Sequence, residues 1–190
     1  MKVSKAQVQA NRAHIVETAS RLFRERGYDG IGIADLMAAA GFTHGGFYKH
    51  FGSKTDLMAE AAQHGLTQSA AQTSGGDLSD FVAHYVSRNH RDKLGEGCTM
   101  AALCADASRQ PPVVKETFAA GIESLLAATE LDGSSTDAAE VRTRKLNAIA
   151  HAVGTLVLSR ACPDDSLLAQ EILDVCRDKI LADLSPAITD

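Results

Sequence analysis

The chain has 190 residues, 45% hydrophobic and 23% charged, with a formal charge of −5 and four cysteines. This is the composition of a folded globular chain; it argues against wholesale disorder, and no apolar run approaches the roughly 20 residues that a bilayer span needs. The charge is uneven: residues 1–66 hold eight Lys/Arg against six Asp/Glu and the remainder eleven against eighteen, so the basic side lies in the first third.

Apolar residues at Ile15, Ala19, Leu22 and Phe23 follow i, i+4, i+7, i+8 spacing and predict one helix face ending near Gly27. Arg12, Arg21, Arg24 and Arg26 lie off that stripe on a solvated face, although Arg12 is also placed to reach a phosphate. After the Gly27–Gly30 turn a short helix is predicted from about Ile33 to Ala40, with Ile33, Leu36 and Met37 inward. Gly41 suits the left-handed conformation that ends a helix, Phe42 is expected to pack back into the core, and Thr43 is a good N-cap for a second helix. Helix, Gly-containing turn and second helix is the helix-turn-helix pattern.

The second helix, about Thr43 to His50, carries two adjacent glycines. On an α-helical wheel with Phe47 inward, Thr43 and Phe51 fall about 40° to either side, while Gly45 and Lys49 point outward, flanked by Gly46 and Tyr48. Each glycine costs about 1 kcal/mol against alanine in a helix interior. Close approach of the backbone to another surface would explain that cost: Gly45 and Gly46 would let the helix sit deep in a DNA major groove. Thr43, His44, Tyr48 and Lys49 would then reach the groove, and Tyr48 and His50 could donate to phosphates. The alternative is a flexible loop with a solvated lysine. Ser53 opens a further helix with Asp56 three residues on, and Lys54 in its first turn, unfavourable against the helix dipole, would be compensated by a phosphate.

The run Gly41-Phe-Thr-His-Gly-Gly-Phe-Tyr-Lys-His-Phe-Gly-Ser-Lys54, preceded by Ile33-Ala-Asp-Leu-Met37, resembles the amino-terminal domain of TetR-family transcriptional regulators over about residues 10–62. The resemblance implies an all-α fold: an amino-terminal three-helix helix-turn-helix domain plus a larger helical ligand-binding and dimerisation domain, divided here as 1–66 and 67–190. It implies a homodimer that binds a roughly palindromic double-stranded DNA operator, usually a repressor released by a small-molecule inducer. It points to Thr43, His44, Gly45, Tyr48, Lys49, His50 and Lys54 as DNA-contacting positions. Ile31-Gly32-Ile33 departs from the family's usual Ser or Thr cap, which removes one hydroxyl from the expected phosphate contacts.

Residues 67–76 read as the tail of a helix and a linker. Asp77 caps a predicted helix with Leu78, Phe81, Val82, Tyr85 and Val86, ending before Gly95; a small-residue helix spans about Thr99 to Ser108, and Pro111-Pro112 starts another with Val114, Phe118, Ile122, Leu125 and Leu126. Leu131–Thr136 reads as a loop. About Asp137 to Ala161 reads as one long helix, apolar on most of its circumference from Leu146 to Leu158, and Cys162-Pro163 ends it; a final helix runs to about Leu184 with Leu168, Ile172, Val175, Cys176 and Ile180.

Both faces of that penultimate helix need cover, either within one larger core or from a symmetry mate in a four-helix interface, and the resemblance favours the mate. Leu146, Ile149, Val153, Gly154, Val157, Ile172 and Cys176 are the dimerisation candidates. Between Asp77 and Thr129, Phe81, Tyr85, Met100, Leu103, Phe118 and Ile122 would line a ligand compartment, with His84 and His90 as polar contacts; the same residues would also serve as plain core.

Met1–Ala10 lacks a signal-peptide core, so the expected location is the cytoplasm, with no membrane association and with Cys98, Cys104, Cys162 and Cys176 as thiols. Cys98, at a predicted helix start, and Cys104 are candidates for redox or electrophile sensing, against a reading as buried structural thiols. No metal site, cofactor or enzymatic motif is expected. Two other functions fit fewer of these residues: a thiol-dependent protein built on Cys98, and a helical adaptor whose amino-terminal domain binds protein.

Overall fold

The computed structural model describes residues 4–131 and 137–185. The loop expected at Leu131–Thr136 therefore lies, from residue 132 onward, outside the described residues. All regular structure among those residues is helical, apart from a single bridge pairing Asp77 with Glu130. No helix is long and apolar enough to cross a membrane among them. The chain divides into two compact units, one comprising the chain up to Gln68 with Cys98–Gly121, the other Ser69–Gly97 with Ile122 onward.

Unit one holds α1 (Lys5–Arg26), α2 (Ile33–Ala39), a 3₁₀ helix (His44–Lys49), α3 (Lys54–Thr73) to Gln68, α6 (Thr99–Ala107) and α7 (Pro112–Ala128) to Gly121. The expected stripe of α1 is its buried face, with Ile15, Ala19, Leu22 and Phe23 all at most 3% exposed. The helix starts well before that stripe, because Ser4 caps it by accepting from the Gln7 N–H at 3.1 Å. Nothing between Lys5 and His14 is buried, so no apolar period announced that start. Gly27 ends α1 at φ 73° and Gly41 follows α2 at φ 78°, both in the left-handed region that a side chain disfavours. In α2, Leu36 and Met37 are buried as expected, but Ile33 is only half-buried; Ile31, ahead of the helix, takes the inward place at 4% exposure.

Three helices of unit one meet at a polar contact made possible by a missing side chain. Arg24 of α1 donates to Ser20 Oγ at 2.7 Å and to Thr99 Oγ1 of α6 at 3.4 Å. Gly65 of α3 lies against all three: a Cβ there would come within 2.2 Å of Thr99 Oγ1, 2.8 Å of Arg24 Nη1 and 3.0 Å of Ser20 Oγ.

Unit two holds α4 (Leu78–Tyr85), α5 (Arg88–Asp92), α8 (Ala138–Arg160) and α9 (Leu167–Leu184), with the ends of α3 and α7. The helix expected from Asp77 toward Gly95 is two helices: Val86 leaves the helical region at ψ 67°, and Ser87 caps α5 by accepting from the His90 N–H at 3.2 Å. Asp77 caps α4 as read, accepting from the Ser79 N–H at 2.6 Å, and Asp137, where the long helix was expected to start, caps α8 by accepting from the Ala139 N–H at 2.9 Å. The core of this unit is built on Leu78, Val82, Leu125, Leu156, Ala169 and Leu173, each at most 2% exposed. Arg91, 2% exposed, ties α5 to the end of α8 by donating to Ser159 and Cys162 carbonyls and to Asp164.

Gly65→Ala is expected to destabilise the fold by about 1–3 kcal/mol, because the buried, χ1-stiff Thr99 cannot move aside for a new Cβ. Thermal unfolding measured by circular dichroism checks this against Gly45→Ala, whose Cβ would meet nothing within 4 Å and which should leave the melting temperature unchanged or raised.

Candidate nucleic-acid interface

The segment expected to contact DNA is a six-residue 3₁₀ helix, His44–Lys49, where an α-helix was expected. Its hydrogen bonds run three residues back, from Gly46 N–H to Thr43 O and from His50 N–H to Phe47 O, both at 2.9 Å. Two adjacent glycines give little propensity for a longer α-helix, and the tighter winding changes which side chains share a row. At about 120° per residue, Thr43 lies well off the Phe47 direction instead of beside it, and it is exposed. Thr43 begins the helix with extended backbone but its hydroxyl makes no capping bond, so the expected N-cap is absent.

One side chain anchors this segment. Phe47 is fully buried, its ring 5.4 Å from that of Phe51, which is 3% exposed. Thr43, His44, Gly45, Tyr48 and Lys49 are all exposed, Tyr48 to 65%. Gly46 and His50 are half-buried. A Cβ on Gly45 would meet nothing within 4 Å, and one on Gly46 only ordinary contacts at 3.6 Å with Met37 and 3.7 Å with Thr43. Nothing inside unit one therefore requires glycine at either position. Phe42, expected in the core, is half-buried, its ring 6.4 Å from both His14 and His50.

Beyond the 3₁₀ helix, Ser53 caps α3 as read, accepting from the Asp56 N–H at 3.1 Å. Lys54 does not stand free in that first turn. Its ammonium donates to the Tyr28 carbonyl at 2.5 Å and sits 6.0 Å from the centre of the Phe23 ring, so a phosphate contact would require it to leave that carbonyl. The Tyr28 N–H donates to Asp106 of α6 at 3.1 Å. Arg12, read as solvated or phosphate-bound, is paired with Glu60 of α3 and donates to the His50 carbonyl at 3.3 Å. The sequence held no signal for these partners, since each pair joins residues more than twenty positions apart.

The remaining candidate residues fall in both units. Met100, Leu103 and Phe118 are buried in unit one; Tyr85 is buried and Phe81 and Ile122 are half-buried in unit two. The Phe81 and Tyr85 rings lie 5.0 Å apart and the His90 ring stands edge-on to Tyr85 at 4.5 Å. Burial pulls the His90 pKa below its ordinary value, so its ring is neutral and its Nδ1 pairs with the Tyr85 carbonyl at 2.7 Å. His84 is exposed.

Of the dimerisation candidates, Ile149 is taken by its own core at 5% exposure, Val153, Gly154, Ile172 and Cys176 are half-buried, and Leu146 and Val157 are 44% and 43% exposed. The structure adds Leu158, Leu168 and Val175, which are 60%, 54% and 61% exposed. Leu168, Ile172 and Val175 share i, i+4, i+7 spacing, as do Leu146, Ala150 and Val153 on α8, and that spacing was the available signal.

All four cysteines are thiols. Cys98 is the buried N-cap residue of α6, and burial, reinforced by nearby Cys98, pushes the Cys104 thiol up to about 11, which keeps it protonated at neutral pH. Among the described residues no group of three His, Cys, Asp or Glu is placed to hold a metal.

The sequence pattern of the bacterial regulatory proteins of the tetR family matches residues 15–61. The transcriptional repressor DhaR of Mycobacterium sp. strain GP1 is 49% identical over 111 residues, which cover 55% of this chain and 56% of that protein. The transcriptional regulator AcrR of Shigella flexneri is 39% identical over 57 residues, 30% of this chain and 26% of that protein. The chain thus spans from about a quarter to just over half the length of these relatives. Among solved structures, a TetR transcriptional regulator from Chloroflexus aurantiacus superposes with a TM-score of 0.67 at 25% identity, covering 93% of this chain and 95% of that one. Reduced NemR from E. coli superposes at 0.69 with 19% identity, covering 90% and 95%, a likeness of fold.

Phe47→Ala should cost about 3–5 kcal/mol of stability, whereas Tyr48→Ala should stay within about 0.5 kcal/mol of the parent. Urea denaturation of both variants checks whether the anchor and the exposed face are energetically separate.

Proposed function

The chain belongs to the tetR family of bacterial regulatory proteins, and from that premise we propose that it is a cytoplasmic, homodimeric transcriptional repressor released from its operator by a small molecule. The observation that carries the reading is the one-sided reading helix. It buries Phe47 alone and turns Thr43, His44, Gly45, Tyr48 and Lys49 to solvent. A helix with that surface gains nothing from its exposed aromatic and its glycines unless a second surface meets them. A major groove supplies one: Gly45 and Gly46 admit the backbone, Tyr48 and His50 donate to phosphates, and Lys49 adds charge. That the relative DhaR is a repressor supports the direction of regulation. Lys54 would join the phosphate contacts only on release from Tyr28.

The exposed apolar residues of α8 and α9 support a second copy as their cover. Leu146, Val153, Gly154, Val157 and Leu158 of α8, with Leu168, Ile172, Val175 and Cys176 of α9, form the face that a two-fold mate would bury in a four-helix interface. Two reading helices held at fixed spacing would select a palindromic site, which a single six-residue helix is too short to specify. In unit two, Phe81 and Tyr85, with neutral His90, offer an aromatic surface to an apolar inducer; Met100, Leu103 and Phe118 of unit one and Ile122 of unit two remain proposals for the same role.

Selection from random duplex DNA by the purified protein is expected to enrich a roughly palindromic sequence; recovery of no enriched sequence would favour an adaptor that binds protein. On the enriched duplex, Tyr48→Ala and Lys49→Ala should weaken binding by about tenfold or more, and Gly45→Ala should weaken it without lowering the melting temperature. Unchanged gel-shift affinity in all three would remove the reading helix from the interface. Affinity should also fall steeply with salt, as expected when several phosphates are engaged. Val157→Glu with Leu158→Glu should convert the dimer to monomer in sedimentation equilibrium, and a dimer that persists would place the interface elsewhere.

A further inference from the structure

The Arg12 side chain joins three elements of unit one. From the second turn of α1 its Nη1 and Nη2 both donate to the carboxylate of Glu60 on α3, its Nε donates to the His50 carbonyl at 3.3 Å, and its guanidinium carbon stands 4.7 Å from the centre of the Phe51 ring. His50 is the residue at which the reading helix ends, and Phe51 continues directly from it.

A six-residue 3₁₀ helix has poorer hydrogen bonds than an α-helix and cannot hold its own geometry in isolation. Its last carbonyls are orphans that need outside donors. Phe47 fixes its depth, but one buried ring leaves rotation about that anchor open. The second constraint is the carbonyl at its exit, and Arg12 supplies the donor. The guanidinium is planar and presents its N–H groups in a fixed fork, so pairing both terminal nitrogens with Glu60 sets the direction in which Nε–H points. The Phe51 ring, 4.7 Å from the guanidinium carbon, covers the fork and limits its movement. The charge, meanwhile, is already matched by Glu60, which leaves little for a phosphate.

Resting on the DNA-reading role proposed above, we propose that Arg12 is a positioning residue for recognition and not a phosphate contact: held by Glu60 and covered by Phe51, it clamps the exit carbonyl of the reading helix and sets the angle at which Tyr48 and Lys49 are presented. Lysine at position 12 keeps the charge but has neither the fork nor the plane. Charge and geometry can therefore be separated.

The test uses the full chain with Arg12→Lys, Glu60→Gln and the double variant, each first shown to melt cooperatively. In native-state amide exchange of the free protein, the His50 and Phe51 amides, which close the reading helix on Phe47, should exchange at least about tenfold faster in both single variants, with the amides around Leu22 and Leu57 unchanged. On the enriched duplex both single variants should lose at least about tenfold in affinity, the double variant no more than either, and the slope of log Kd against log salt should stay at the parent value. Parent-like exchange at His50 and Phe51 in Arg12→Lys would overturn the proposal. So would an Arg12→Ala protein whose salt slope falls by about one while Arg12→Lys binds normally, the pattern of a lost phosphate contact. If the parent enriches no duplex, the DNA-reading role fails, and the exchange arm still decides whether Arg12 positions the helix.

Discussion

Burial of the Phe47 ring is the contact on which the face proposed to read DNA depends. A short 3₁₀ helix with two glycines has almost no stability of its own, and turning its polar side to solvent removes the option of packing it from outside. Its apolar packing must come from below, through Phe47 and the Phe51 ring beside it. Close packing makes that anchor unforgiving, since a ring in a filled core sits in one orientation. Rigidity below is therefore what allows Thr43, His44, Gly45, Tyr48 and Lys49 to be presented without support above.

Around that anchor, backbone groups at the turns of unit one are gripped by long side chains from elsewhere in the unit. Arg12 takes the His50 carbonyl, Lys54 takes the Tyr28 carbonyl, and Asp106 of α6 takes the Tyr28 N–H. Each grip joins a loop to a helix whose own position is set by buried apolar residues. Tyr28, whose ring is buried edge-on against Phe23, has both polar ends of its backbone held in this way. The turn between α1 and α2 and the exit of the 3₁₀ helix are thus tied into the unit by hydrogen bonds involving charged groups, which are stronger than neutral ones.

Legibility in the sequence was set by range. Elements with local punctuation were read closely: α8 between its Asp137 cap and Cys162-Pro163, α2 ending before the left-handed Gly41, and α3 opening after Ser53. The start of α1 was invisible because its first ten residues bury nothing, and the break between α4 and α5 was hidden by an apolar spacing that runs on through Val86. The 3₁₀ helix was placed correctly but wound too loosely, which set Thr43 within about 40° of Phe47 on the wheel although it was also read as a groove contact, and the tighter winding leaves it exposed. Gly45 and Gly46 were legible as oddities, and the structure sharpened them by showing open space over Gly45. What the sequence could not hold were the partners of Arg12 and Lys54, because charge and spacing alone fit a phosphate as well as a carboxylate or a carbonyl.

The most direct test is methylation interference on the enriched duplex. N7-methyl guanine projects into the major groove and N3-methyl adenine into the minor, so the pattern reports which groove the reading helix occupies. Two symmetric blocks of N7-methyl guanine interference, one in each half-site, are predicted for the parent protein. Interference from N3-methyl adenine alone, or none at any position, would contradict the assignment of the Thr43 to His50 surface to DNA.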